Sequence, residues 1–305
     1  MTSRPLDLRD LPTLFRYRGE AVSLDSARLL TRGNPLGAAG FLSYFNPSRH
    51  LYTAINQDNG MALVGNILHT NGDMFARLVY IAPSGALSHP GMTGLIEHLT
   101  AEAGKWGAFH ILAELDETSD AFIALRAAGF SVYAWQRMWD VSHIVESTAE
   151  SGWRRATSVD LSAIQSLHHQ IVPPLLQPVE PTPRRAAGLV CSDAIRCYVS
   201  LTYGVHGIVL TPLIHPEATD VTARLANLLS HLPDRRKRPI YLCVRSYQTW
   251  LESALEDLGG KPSEQQAVMM KHLAHMVKDE QAVLAAQPAG VSIQPSRVSH
   301  LKSEK

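Results

Sequence analysis

The sequence predicts an α/β protein with mixed sheets, in which one order of strands and helices is used twice. Three observations predict this class. Apolar strand patterns alternate with helical patterns between residues 61 and 141. A second run of the same kind follows residue 152, and short segments of Gly, Pro, Asn and Ser separate the patterns in both runs.

The first run begins with a predicted hairpin. Two apolar stretches, residues 61–69 and Phe75–Ala82, are joined through Asn71 and Gly72, a pair that supplies the positive φ angles of a tight turn. A loop rich in Gly, Pro and Ser, residues 83–91, then leads into a helix. The apolar residues of this helix recur on one face: Leu95, Ile96, Leu99 and Ala103.

Three further elements complete the first run. The apolar residues 109–115 predict a buried strand. Residues 116–129 predict a short helix that has Asp and Ser caps and ends at Gly129, and residues 130–141 predict a final alternating strand.

This order resembles the GNAT acyltransferase superfamily, in which a strand leads into a phosphate-cradling loop and helix, and a later helix ends in Gly-Phe before another strand. The matching residues are Val79, Tyr80, Ile81, Ala82 and Pro83, then Gly91 with Gly94, Leu95 with Ile96, and Ala121, Leu125, Gly129 and Phe130. The resemblance implies acetyl-CoA or another acyl-CoA as co-substrate, without a metal. It also implies direct attack on the thioester by an amine of a small molecule or peptide.

The loop before the first-run helix is the predicted donor site. A helix N-terminus presents unpaired N–H groups, and glycine lets a pyrophosphate approach the backbone. The predicted cofactor contacts are Ile81, Ala82, Ser88, His89, Gly91, Met92, Thr93, Gly94 and Thr118. Ser88 and Thr93 depart from the family pattern, which has a cation or glutamine and a small residue there. Thr118 and Leu125 stand where many relatives have asparagine and tyrosine.

Glu114 and Tyr133 are the predicted catalytic residues. Glu114 lies inside an apolar strand, where burial would raise the pKa of its carboxyl towards that of a general base. A salt-bridged or edge-exposed glutamate is the equal alternative. The resemblance implies a tyrosine that protonates the leaving thiolate, a role open to Tyr133 or Tyr80, and backbone amides of residues 80–82 that polarise the thioester carbonyl.

The second run repeats the first. Residues 151–160 have the style of the opening RPLDLRD, strand and helix patterns follow in the same order, and Gly259 with Gly260 takes the place of Gly129. This predicts a tandem duplication. The predicted parts are a first domain at residues 1–142, a linker at 143–152, a degenerate second domain at 153–277 and a disordered tail at 278–305.

The second copy lacks the donor-site pattern of the first. Glu217 and Asp220 stand at its helix start, where carboxylates repel a pyrophosphate. The proline-rich residues 171–188 predict either a wall of the substrate cleft or a plain surface loop.

Composition narrows the function classes. The 305 residues carry 28 basic and 28 acidic side chains, a balance that argues against nucleic acid as a partner. The sequence has no long apolar run and no apolar signal-peptide core at its start, which predicts a cytoplasmic protein without a membrane partner. The sequence does not determine the oligomeric state, and it is compatible with a monomer. The alternative function is a binding or regulatory protein that keeps the fold without transfer activity.

Overall fold

A computed structural model describes residues 3–37, 49–58, 60–144, 152–180, 182–191 and 195–273. The predicted tail and most of the predicted linker lie outside these residues. We call residues 3–144 the first lobe and residues 152–273 the second lobe. The domain bounds at residues 142 and 153 stay a prediction.

The described residues form seven α-helices and fourteen strands. Helices α1 to α7 span Leu11–Arg16, Ser26–Arg32, Pro90–Lys105, Asp120–Ala127, Leu161–Ile171, Val221–Ser230 and Leu251–Asp257. Strands β1 to β7 span Arg4–Pro5, Val22–Ser23, Arg49–Asp58, Met61–Thr70, Phe75–Ala82, His110–Asp116 and Ser131–Asp140. Strands β8 to β14 span Trp153–Arg155, Gly188–Cys191, Cys197–Tyr203, Ile208–Ile214, Ile240–Arg245, Lys261–Pro262 and Gln266–His272.

The strands form one mixed sheet. Twelve of them follow the order β1-β3-β4-β5-β6-β14-β7-β12-β11-β10-β9-β8, while β2 pairs with β5 and β13 pairs with β7. Strands β5 and β6 pair in parallel, as do β11 and β12, whereas the hairpins pair antiparallel. The predicted class is therefore confirmed. The predicted hairpin turn lies at Gly72, whose φ is 87°, a left-handed value that suits glycine.

The two lobes exchange strands. Strand β14 of the second lobe lies between β6 and β7 of the first. In return, the last five residues of β7 pair with β12 of the second lobe. Each hydrophobic core therefore contains residues of both lobes. Met269 of β14 packs in the first-lobe core, and Trp139 of β7 packs in the second-lobe core. Separating the lobes would break both ladders.

The predicted repeat is visible in the first turn of each lobe. Arg4 and Asp10 form an ion pair with an N–O distance of 2.7 Å, and Arg154 and Asp160 form the same pair at 2.7 Å. In both lobes the aspartate also accepts a backbone N–H three residues earlier, which closes the helix start. The same local structure therefore begins both lobes.

Close helix-on-sheet packing fixes α3 against the first-lobe sheet. A Cβ atom at Gly65 of β4 would lie 2.7 Å from Leu99 Cδ1, so any larger residue would require this leucine side chain to move. The helix begins at Pro90, with His89 as its N-cap residue. None of the helices in the described part of the chain is both long and apolar enough to span a membrane.

Candidate active site between the two lobes

A cavity of about 440 Å³ lies between the lobes, a size typical of small-molecule sites. Its walls carry charged and hydroxyl side chains from both lobes. From the first lobe come Asp25, Arg28, Arg77, Glu114 and Gln136, and from the second come His168, Glu180, Tyr198, Ser200, Thr211, Arg245 and Tyr247.

Glu114 is the centre of a buried ion network that joins the lobes. Its Oε1 lies 3.2 Å from Arg77 Nη1 of β5 and 3.4 Å from Arg245 Nη2 of β12. Arg245 Nε in turn lies 3.3 Å from Glu180 Oε1. Arg245 is 7% exposed and both glutamates are 6% exposed, so each charge depends on its partners.

Side-chain amides from the exchanged strands complete the network. Gln136 of β7 accepts a hydrogen bond from Arg245 and donates one to Gln266 Oε1 of β14 at 2.9 Å. Ser26 Oγ also donates to Gln266 Oε1, at 2.8 Å. The strand exchange therefore brings the polar groups of both lobes to one place.

The predicted pKa shift of Glu114 is wrong in direction. Burial alone would raise the pKa of this carboxyl, but the guanidinium groups of Arg245 and Arg77 lower it below its ordinary value. Glu114 is thus the salt-bridged glutamate of the alternative interpretation. The pKa of the neighbouring Asp25 is raised, chiefly by burial and further by the charge of Glu114, against the opposing effect of Arg77. A raised pKa is the direction that general-base chemistry requires of a carboxyl group.

Tyr133 lies beside the same network. Its hydroxyl donates to Glu180 Oε1 at 3.3 Å, and burial followed by the charge of Glu180 raises its pKa. The structure therefore brings the two predicted catalytic residues, Glu114 and Tyr133, together around Arg245. Their catalytic roles remain predictions.

The predicted donor loop is packed against its own lobe. His89 Nδ1 accepts the Gly91 N–H at 3.1 Å, and Gly91 O accepts from Asn56 Nδ2 at 3.1 Å. A Cβ atom at Gly91 would lie 3.0 Å from Leu63 Cδ1, which gives this glycine a packing role. Ser88, Gly94 and Thr118 are exposed, Thr93 is half-buried, and Ile81, Ala82 and Met92 are buried. Their donor contacts remain predictions.

The chain itself fills the first-lobe cleft, which we define as the gap between β5 and β6 beyond Arg77 and Leu112. Leu24 donates its N–H to Val79 O at 2.8 Å and accepts the Glu114 N–H at 2.8 Å. Strand β2 pairs with Tyr80 and Ile81. The cleft edge at Tyr80 and Ile81, within the stretch 80–82 implied to polarise a thioester carbonyl, is thus already paired.

The second-lobe cleft, between β11 and β12 beyond Leu210 and Leu242, is bridged differently. Gln248 donates its side-chain amide to Pro212 O at 3.0 Å and accepts the Ile214 N–H at 3.1 Å. Vacating this cleft breaks two hydrogen bonds, at about 1 kcal/mol each. Removing the chain from the first-lobe cleft breaks several hydrogen bonds. It also exposes the buried side chain of Leu24, which adds about 2 kcal/mol to the cost.

Sequence reasoning did not assign most of the cavity residues to a site, among them Asp25, Arg77, His168, Glu180 and Arg245. Arg77 and Arg245 carried a usable signal, because each is a charged residue in an otherwise apolar strand, as Glu114 is. The segment with Glu180 was predicted as a wall or a surface loop, and Glu180 and Pro183 do line the cavity. Within the described ranges, no group of three or more His, Cys, Asp or Glu side chains could hold a metal ion.

Comparison with solved structures identifies the fold. A GCN5-related N-acetyltransferase from Sphaerobacter thermophilus is similar with a TM-score of 0.54 at 13% identity, over 89% of this chain and 95% of that one. A tandem GNAT protein from the clavulanic acid biosynthesis pathway is similar with a TM-score of 0.51 at 14% identity, over 90% and 99%. No family model and no curated protein matches the sequence. The chain has the tandem GNAT fold.

Proposed function

We propose that this tandem GNAT-fold chain is an acyltransferase that moves an acyl group from an acyl-CoA to an amine held in the cavity between the lobes. The observation that carries the proposal is the pair of buried carboxylates, Asp25 and Glu114, in the wall of a cavity of small-molecule size. A cationic amine is the natural partner of such groups. The amine belongs to a small molecule or to the end of a peptide.

The chemistry needs proton transfer and no covalent intermediate on the protein. The amine nitrogen attacks the thioester carbonyl, the new N–C bond forms and the C–S bond breaks. Asp25 takes the amine proton, because its raised pKa suits a base. Glu114, held ionised by its arginines, binds and orients the ammonium form. Tyr133 turns its hydroxyl from Glu180 to give the thiolate a proton, and the proton taken up by Asp25 returns to the tyrosinate through solvent, so that the protons balance.

Thiol release from acetyl-CoA, followed with and without amines, tests the proposal. The panel contains diamines, amino acids and short peptides. We expect release that depends on one class of amine, with Glu114→Gln losing tenfold or more in kcat/KM for the amine and little in acetyl-CoA affinity. Release that is indifferent to every amine would contradict the proposal.

The filled first-lobe cleft favours a second candidate function, a binding protein without transfer activity. In that case the cavity would bind a polar small molecule and acyl-CoA would not be consumed. Calorimetric binding of an amine without thiol release in the same assay would favour this candidate.

A further inference from the structure

The cavity between the lobes has a charged side and a neutral side. On the charged side, carboxylates and guanidinium groups around Glu114 and Arg245 pair with one another. The neutral side comes from the second lobe, and we call its polar members the hydroxyl wall. They are His168 on α5, Tyr198, Ser200 and Thr202 on β10, Thr211 on β11, and Tyr247 just after β12.

Strand alternation explains why the hydroxyls of β10 and β11 share one face. Tyr198, Ser200 and Thr202 are alternate residues of β10, so their side chains leave the sheet on the same side. Val199, between them, packs in the second-lobe core on the opposite side. Thr211 lies directly across from Ser200 in the antiparallel register of β10 and β11. A row of hydroxyl groups therefore covers this part of the cavity.

His168 adds an uncharged hydrogen-bond donor to the wall. The residue is 3% exposed, and its Nδ1 is enclosed without a hydrogen-bond partner in the described part of the chain. A buried N–H without an acceptor is rarer in folded proteins than an unpaired acceptor, so the ring proton belongs on Nε2. Burial, and then His169, lower the pKa to about 4, which keeps the ring neutral near pH 7.

Tyr247 lies where the two sides of the cavity meet. Burial raises the pKa of its hydroxyl, and the negative charge of Glu180 raises it further, so the group stays protonated. Among the described residues, neither this hydroxyl nor that of Thr211 has a hydrogen-bond partner. A ligand whose amine occupies the charged side would bring its next polar group to Tyr247.

The chemistry of the wall selects the kind of group that binds it. Hydroxyl side chains both donate and accept hydrogen bonds, and the imidazole donates one. No member of the wall carries a charge that would balance an ammonium or a carboxylate. An alcohol group satisfies such a mixed, neutral set, because it also donates and accepts.

We propose that the acceptor is a hydroxylated amine of the size of an amino sugar. Its ammonium group binds at Asp25 and Glu114, and its hydroxyl groups bind the hydroxyl wall. This inference rests on the proposed function and names the class of its acceptor.

Three amines built on a six-membered ring test the match. Glucosamine carries hydroxyl groups, cyclohexylamine carries none, and aminocyclohexane carboxylic acid carries a negative charge instead. Calorimetric titration of each into the natural chain is the measurement. We expect glucosamine to bind at least tenfold more tightly than the other two. No binding of glucosamine, or equal binding of either other amine, would overturn the inference.

A pair of tyrosine variants assigns this preference to the wall. Tyr247→Phe removes one hydroxyl from the wall, and Tyr203→Phe removes one from the opposite face of β10, where it donates to Pro233 O. We expect Tyr247→Phe to bind glucosamine about fivefold more weakly, the effect of one neutral hydrogen bond, and cyclohexylamine within twofold of the natural chain. Tyr203→Phe should match the natural chain with both. Equal loss for both amines, or no loss, in Tyr247→Phe would overturn the inference.

Thiol release from acetyl-CoA in the same mixtures distinguishes this inference from the proposed function. Tight binding of glucosamine that depends on Tyr247, without thiol release, would remove the function and keep the hydroxyl wall as a binding site. Release with cyclohexylamine as efficient as with glucosamine would overturn the inference and leave the function standing. If both hold, Tyr247→Phe should raise the KM for glucosamine about fivefold and leave kcat within twofold.

Discussion

Arg245 of the second lobe lies 3.4 Å from Glu114 of the first lobe, Nη2 to Oε1, although 131 residues separate them in the chain. Burial works against the charge of Arg245, but Glu180, Tyr133 and Glu114 raise its pKa well above the ordinary value. The guanidinium is therefore charged at every working pH. Through its ion pairs with Glu114 and Glu180, it stabilises both the cavity wall and the contact between the lobes.

Removal of this guanidinium should destabilise the fold strongly. Arg245→Met leaves Glu114 and Glu180 as buried carboxylates with reduced compensation, which costs about 3 kcal/mol of unfolding free energy. Arg137→Met is the matched control, since Arg137 pairs with Glu252 at 3.0 Å but is 39% exposed, and it should cost less than about 1 kcal/mol. Chemical denaturation measures both, and equal losses would contradict the account.

The repeated helix starts should respond alike to the same change. Asp10→Ala and Asp160→Ala each remove an ion pair and a cap, so each should lower the melting temperature by about 2–4 °C. Calorimetry of the two variants checks this. If only one of the two variants had a lower melting temperature, the two helix starts would share a structure without contributing equally to stability.

His168 should make the protein less stable in mild acid. Burial, and then the neighbouring His169, lower its pKa to about 4, whereas the unfolded chain binds the proton near pH 6.5. Below pH 6.5 the unfolded state takes up more protons, so stability falls as the pH falls towards 4. His168→Leu should flatten this slope, with His110 supplying a remaining part.

The control for this pH dependence is His169→Leu, because His169 is the exposed neighbour on α5. It should keep most of the slope of the natural chain between pH 6.5 and 4.5, because burial, the larger cause of the lowered pKa of His168, is unchanged. Urea unfolding at half-unit pH steps measures all three proteins. An unchanged slope in His168→Leu would remove His168 from this role.

The nucleotide of the donor should contribute little to its recognition. His89 caps the first-lobe helix start, and Glu217 and Asp220 place carboxylates at the second. S-acetyl-pantetheine should therefore support transfer with a kcat/KM within about tenfold of acetyl-CoA, or 1.4 kcal/mol. A thousandfold preference for acetyl-CoA would point to a diphosphate site.

Local patterns sufficed for much of the fold. The hairpin through Gly72, helix α3 and the strand that contains Glu114 follow from periodicity and turn residues close in sequence. The sequence did not reveal β2 and α2, because residues 20–32 adopt their structure against β5 and the second lobe. The placement of β14 between β6 and β7 was equally hidden, since its partners lie about 130 to 160 residues away.

In the candidate site, too, local patterns predicted some features, whereas those that depend on distant contacts were not predictable. The burial of Glu114 was predictable from the apolar residues around it, but its ion pairs were not, because Arg245 reaches it only after the strands exchange. The sign of a pKa shift depends on such partners, and sequence does not contain their distances. The role of Gly91 illustrates the same limit, since a glycine suited to an anion is also suited to close packing on Leu63.

The most direct test of the central claim fills the cavity and follows transfer. Ser200 lies on β10 in the cavity wall, and Ser131 is an exposed residue at the start of β7. Amine-dependent thiol release from acetyl-CoA is measured for the natural chain, Ser200→Phe and Ser131→Phe, with melting temperatures to confirm folding. The account predicts that Ser200→Phe raises the KM for the amine or abolishes transfer, while Ser131→Phe behaves as the natural chain. Unimpaired transfer by a folded Ser200→Phe protein would contradict it.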